Sequence, residues 1–183
     1  MAMGDSLTEG LGVDPADAWP AQLEARLRAE GLAVAVTNAG VSGETSSGAL
    51  ARVDWILRQQ PQIVILATGG NDGLRGVDPA ITADNIDQIV QKLQAGGAVV
   101  VLAGMEMVQN MGAEYTGEFR ALYPAIAERR SAILVPFLLE GVATDPALNQ
   151  PDFIHPNAAG YRIVVENLYP YVVQAIEQVQ AQP

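Results

Sequence analysis

The chain has 183 residues, a formal net charge of −11, 49% hydrophobic and 17% charged residues, no Cys and a single His. This length suits one domain spanning residues 1–183 with its own apolar core, and the composition is that of a globular chain rather than a disordered one. The acidic balance argues against nucleic acid as a partner, the lack of Cys excludes disulfides and thiolate chemistry, and no apolar run reaches the ~18 residues of a membrane span, so stable membrane insertion is not expected.

The opening Met1-Ala2-Met3 is short and apolar and leads into Gly4-Asp5-Ser6. It has no basic, apolar leader, so no signal peptide is expected in this sequence. Trp19 to Glu30 reads as a helix: Leu23 and Leu27 share a face, Pro20 sits in the first turn, and Gly31 ends the run. Ala33 to Val36, Ile63 to Ala67, Ala98 to Ala103 and Ala132 to Phe137 are unbroken apolar runs of the length expected for strands covered on both faces. Between them, Leu50, Val53 and Ile56 predict one helix, Ile81 to Leu93 a second, and Phe119, Leu122 and Ile126 a third. Tyr161, Val164, Leu168, Val172, Ala175 and Val179 mark a last helix, which Pro170 is expected to kink or divide.

Strand–helix alternation predicts a three-layer α/β domain with a parallel sheet, in which ligands sit beyond the carboxyl ends of the strands. The polar candidates fall just after predicted strands: Gly4-Asp5-Ser6, Asn38-Ala39-Gly40 with Gly43, and Gly69-Gly70-Asn71-Asp72. Ser6 could be a nucleophile if a base reaches it, or a turn or cap residue. Asp152 and His155, spaced i, i+3, could form an oriented imidazole base, with an N-cap and a surface His as the other reading. A metal pair lacks further His or Cys to complete it. Asn71, among glycines, could donate its amide to an oxyanion or occupy a left-handed turn, and the Gly43 N–H raises the same choice.

Together, Ser6, Gly43, Asn71 and the Asp152/His155 pair match, in order and approximate spacing, the four sequence blocks of the GDSL/SGNH hydrolase superfamily. Over nearly its full length the chain resembles the subgroup of bacterial acyl thioesterase, lysophospholipase and arylesterase enzymes. Ala18-Trp19-Pro20, Asn38-Ala39-Gly40-Val41-Ser42-Gly43-Glu44-Thr45 and Gly69-Gly70-Asn71-Asp72-Gly73-Leu74-Arg75-Gly76 carry the closer likeness, extended by Leu134 to Phe137 and Ile154-His155-Pro156-Asn157.

The resemblance implies a flavodoxin-like, five-stranded parallel sheet with helices on both faces, and a serine hydrolase of acyl esters or thioesters needing no metal and no cofactor. It implies Ser6 as nucleophile, His155 as base, Asp152 as its orienting acid, and an oxyanion hole from the Ser6 and Gly43 N–H groups and the Asn71 amide. It further implies a mobile loop at Gly73 to Val77, an acyl site near Met105, Met107 and Met111, and a periplasmic or secreted location. One departure stands out: the family's full apolar strand before Gly-Asp-Ser is reduced here to Met1-Ala2-Met3. A carbohydrate O-acetyl esterase is disfavoured by the Met-bearing loop and the few aromatics. An ordinary α/β-hydrolase is disfavoured by the nearly N-terminal Ser6, and a phosphate-cradling flavodoxin-like module by Asp5 and Glu9 in the first loop.

Overall fold

The computed structural model describes residues 1–107 and 111–181. Strands β1 (Ala2–Gly4), β2 (Asn38–Gly40), β3 (Ile63–Ala67), β4 (Val99–Ala103) and β5 (Ile133–Val135) form one sheet in the order β2-β1-β3-β4-β5. Every neighbouring pair is parallel. The helices are α1 (Ser6–Glu9), α2 (Trp19–Ala29), α3 (Ser46–Ala51), α4 (Val53–Arg58), α5 (Gly70–Leu74), α6 (Pro79–Ala95), α7 (Ala113–Arg130) and α8 (Ala158–Gln180). This is the α/β architecture expected from the sequence, with the flavodoxin-like strand order.

The runs Ile-Val-Ile-Leu-Ala of β3 and Val-Val-Val-Leu-Ala of β4 are buried after their first residue, because helices cover both faces. On one side α2, with Trp19, Leu23 and Leu27 buried, packs against α8, with Tyr161, Val164 and Leu168 buried. On the other, α6 packs against α3 and α7. The chain steps from β1 outward to β2 and then back across to β3. That reversal opens a crevice beyond the carboxyl ends of these strands, where α1, the loop after β2, and α5 all begin.

Several expectations are corrected. The run Ala33 to Val36 is not a strand; the strand is the less apolar Asn38–Gly40. Ala2 pairs with Asn38, so residues 33–36 lie alongside no part of β1 and gain no ladder. Instead the Glu24 carboxylate accepts from Val36 N at 2.6 Å, and Arg28 Nε donates to Val34 O at 2.9 Å. Asn38-Ala39-Gly40 is therefore the strand itself, and Gly43 follows it. Gly40 is required there by close approach, since a Cβ would run into the Glu9 backbone of α1.

The helix through Leu50, Val53 and Ile56 is two helices, α3 and α4, broken at Arg52 (φ −108°, ψ 7°). Pro170 does not divide α8. It lies on the exposed side, where water can satisfy the carbonyl that loses its N–H partner.

Candidate active site

At the end of β1, the Asp5 carboxylate accepts from Leu7 N at 3.0 Å and caps α1. Asp5 is thus the cap, and Ser6 is the first helical residue, which settles that alternative for Ser6. Ser6 Oγ lies 2.8 Å from His155 Nε2, and His155 Nδ1 lies 2.7 Å from Asp152 Oδ2. Asp152 Oδ1 accepts from Ile154 N at 2.9 Å and His155 N at 3.0 Å. One carboxylate oxygen therefore fastens the turn while the other holds the ring. The i, i+3 spacing works through this turn and not through a helix; α8 starts later, capped by Asn157.

Partial desolvation pushes the Asp152 carboxyl up, but the backbone and ring hydrogen bonds from His155 and the Ile154 N–H outweigh it and hold its pKa down to about 2. An ionised carboxylate only accepts, so Nδ1 carries the imidazole proton and Nε2 turns its lone pair to Ser6.

Gly43 and Asn71 come to the same place from different strands. Gly43 has φ +76°, a left-handed conformation open to glycine. Neither its N–H nor that of Ser6 has a hydrogen-bond partner among the described residues. Asn71 is not a left-handed turn residue: it lies within α5, and the left-handed position is Gly69 at φ +105°. Asn71 Nδ2 is 3.0 Å from Glu44 O and 3.3 Å from Asp5 Oδ2. Two acceptor oxygens on one side fix which way the amide faces.

These groups line a cavity of about 340 Å³ whose walls include Leu11, Leu74, Met105, Met107, Phe137 and Ile154. Met105 and Met107 thus lie where the sequence reading put them. Met111 is not among the residues lining the cavity; its methyl end lies near Gly76. The segment read as a loop from Gly73 begins inside α5, and only Arg75 to Val77 are outside a helix. The Arg75 guanidinium donates to Gly43 O at 2.8 Å, tying this segment to the loop after β2.

Sequence reasoning missed two features. Asp5 is buried beneath the site, and desolvation, only partly offset by the Leu7 N–H, His155 and Asn71, raises its pKa to about 6. Arg52 and Glu44 form an inward-facing pair behind the oxyanion candidates. The signal for Asp5 was its place in Gly4-Asp5-Ser6; Arg52, in a helix-like stretch, gave none. Among the described residues there is no cluster of three or more His, Asp or Glu arranged for a metal ion.

Comparison with known proteins identifies the family. The sequence profile of the GDSL-like Lipase/Acylhydrolase family matches residues 2–163. The chain is similar to esterase TesA of Pseudomonas aeruginosa, 41% identical over 93% of this chain and 85% of the relative. It is similar to thioesterase 1/protease 1/lysophospholipase L1 of Escherichia coli K12, 39% identical over 86% of this chain and 74% of the relative. A crystal structure of TesA superposes with a TM-score of 0.92 at 40% identity, covering 95% of this chain and 97% of that one. The chain belongs to the GDSL-like lipase/acylhydrolase family and is a GDSL-type ester hydrolase.

Proposed function

We propose that residues 1–183, acting as one domain, hydrolyse carboxylic esters or thioesters of acyl chains through a Ser6-bound acyl-enzyme. The observation that carries this reading is the continuous relay Ser6 Oγ to His155 Nε2 (2.8 Å) and His155 Nδ1 to Asp152 Oδ2 (2.7 Å), opening into an apolar cavity. Ser6 attacks the acyl carbonyl while His155 takes its proton, and Asp152 stabilises the imidazolium. The carbonyl oxygen becomes an oxyanion that accepts from the unpaired Ser6 and Gly43 N–H groups and from Asn71. The Asn71 amide keeps its contact with Glu44 O and gives up the longer one to Asp5. His155 then protonates the leaving alcohol or thiol. Water, deprotonated by His155, attacks the acyl carbon, and collapse releases the acid and restores Ser6. No step needs a cofactor or metal.

The cavity walls favour an acyl chain over a sugar: they are mostly aliphatic and Met side chains, and Met adapts to chains of different shape. Ser6→Ala is expected to fold normally and lose on the order of 10⁴-fold or more in kcat on p-nitrophenyl esters. Wild-type enzyme should release a burst of nitrophenol wherever deacylation is slow. A folded Ser6→Ala protein with a tenth of wild-type activity would sink the assignment. A series of aryl esters and acyl thioesters of increasing length then defines the preferred chain.

A further inference from the structure

The loop after β2 carries Gly43 and Glu44, and behind it sits a cation that the chemistry above does not use. Arg52 Nε donates to Glu44 Oε1 at 2.6 Å, and Arg52 Nη2 to Glu44 Oε2 at 2.7 Å. The same Nη2 reaches Ala39 O at 2.8 Å and Gly4 O at 3.2 Å. One planar group thus spans the last residue of β1, just before Asp5-Ser6, the middle of β2, and the loop that follows β2. Both side chains are largely withdrawn from water, with 19% of Arg52 and 7% of Glu44 exposed.

We propose that the Arg52–Glu44 pair is a positioning device for the oxyanion hole, holding the Gly43 N–H and, through Glu44 O, the Asn71 amide at their distances from Ser6. The proposal rests on the esterase reading above. A buried ion pair adds little net stability, because desolvating both charges offsets most of their attraction. Core cohesion is therefore a poor account of a bidentate pair at this place, whereas fixed geometry is what a bidentate arginine supplies.

The rest of the loop's anchoring shows why the pair matters. Ser46 N and Oγ donate to the Asp72 carboxylate at 2.7 and 2.6 Å, and Arg75 holds Gly43 O. These ties fasten the loop to α5, the element that bears Asn71. They make the loop and Asn71 move as one body, whose register against Ser6 depends on a separate set of links. Toward Ser6, Val41 N donates to Gly4 O at 2.9 Å, Asn71 Nδ2 to Asp5 Oδ2 at 3.3 Å and, at the exposed rim, Ser42 N to Glu9 at 2.9 Å, while Arg52 is the side chain that joins β1, β2 and Glu44 at a single point. The need to turn the Arg52 side chain inward also coincides with the break between α3 and α4.

The test uses the full chain and p-nitrophenyl butyrate, with Arg52→Lys, Glu44→Gln and Arg52→Ala beside wild type and Ser6→Ala. Lys keeps the charge but not the fork. A small displacement of aligned groups is costly, so Arg52→Lys and Glu44→Gln should each lower kcat about tenfold or more. KM should stay within about twofold, since the donors act on charge that develops after binding. Added guanidinium should partly restore kcat to Arg52→Ala and leave Asn71→Ala unchanged. Wild-type kcat in a folded Arg52→Lys overturns the proposal. So does a loss of kcat that follows the melting temperature and is not rescued by guanidinium, since a purely structural role predicts that pattern. If Ser6→Ala keeps its activity, the esterase reading fails first and the positioning proposal falls with it. If Ser6→Ala is dead and Arg52→Lys is normal, only the positioning proposal fails.

Discussion

Two recesses of similar size lie at opposite ends of the sheet. The cavity beyond the carboxyl ends of the strands has about 340 Å³, and a groove at their amino ends, lined by Met1, residues 33–37 and residues 59, 61–63 and 65, has about 290 Å³. Volume does not tell them apart, although the carboxyl-end cavity has the more apolar walls. The carboxyl end gathers Asp5 and Ser6, Gly43, Asn71 and His155 from four separate segments, and the Ser6 and Gly43 N–H groups have no partner among the described residues. Among its lining residues the amino end offers no titratable side chain. The difference follows from the parallel sheet. Every strand delivers its chain to the same end, where loops turn into helix starts with unsatisfied N–H groups. At the other end the chain merely returns.

Asn71→Gly presses hardest on this contrast. If the amide serves the oxyanion, kcat falls by about 10²–10³ with little change in KM. The melting temperature should fall modestly, because a glycine within α5 and the lost contacts to Glu44 O and Asp5 together cost on the order of 1–2 kcal/mol. Near-normal kcat in the folded variant would falsify the oxyanion role and leave the carboxyl end with one fewer convergent donor.

Asp5→Asn separates charge from geometry at the same end. Burial raises the Asp5 pKa from 3.8 to about 6, so the folded protein holds this proton more tightly than the unfolded chain. Stability should therefore drop as pH rises from about 4 to 6 and stay lower above that range. Asparagine keeps the oxygen that accepts from Leu7 N and removes the ionisation. It should raise stability at pH 8 by on the order of 1–3 kcal/mol and have little effect at pH 4, as read by denaturant melts at both pH values.

The activity of the same variant sharpens the pH dependence. His155 must be neutral to accept the Ser6 proton, so rate falls on the acid side. Asp5 faces His155, Asn71 and Glu44, with the Tyr123 and Tyr161 hydroxyls nearby, and its negative charge favours the imidazolium formed during attack. The rate should then fall more steeply in wild type than in Asp5→Asn where Asp5 takes up its proton, near pH 6. Equal slopes in the two proteins would show that Asp5 ionisation has no part in the reaction.

The smallest effect belongs to the other recess. Val172, 4% exposed, lines the groove from α8. Val172→Ala should cost about 1–2 kcal/mol of stability, because an existing recess softens the loss of packing, and leave kcat unchanged. A large loss of kcat without unfolding would mean that the two ends are coupled.

Much of this was legible in the sequence where short-range pattern and composition decide. The runs at 63–67 and 98–103 were read as covered strands and hold β3 and β4, and the spacing from Tyr161 to Val179 marks the buried face of α8. Ser6, Gly43, Asn71, Asp152 and His155 were all legible as candidates, because each is a residue type with distinctive chemistry set in a short turn-like motif.

What the tertiary structure alone decided depends on partners distant in the chain. The pairing of Ala2 with Asn38 placed β2 at Asn38–Gly40 and not at the apolar run 33–36, since a strand exists only where a neighbour offers its ladder. Asp5 is a turn residue in sequence and a buried carboxyl in space because α1, α5 and His155 close over it. Arg52 reads as one charge on a helix, yet its guanidinium reaches Gly4, 48 residues away, and it stands at the break in the helix the local pattern predicts. Local periodicity records which faces a segment can bury, whereas hydrogen bonds between distant segments determine where that segment ends and which charges lie beneath the site.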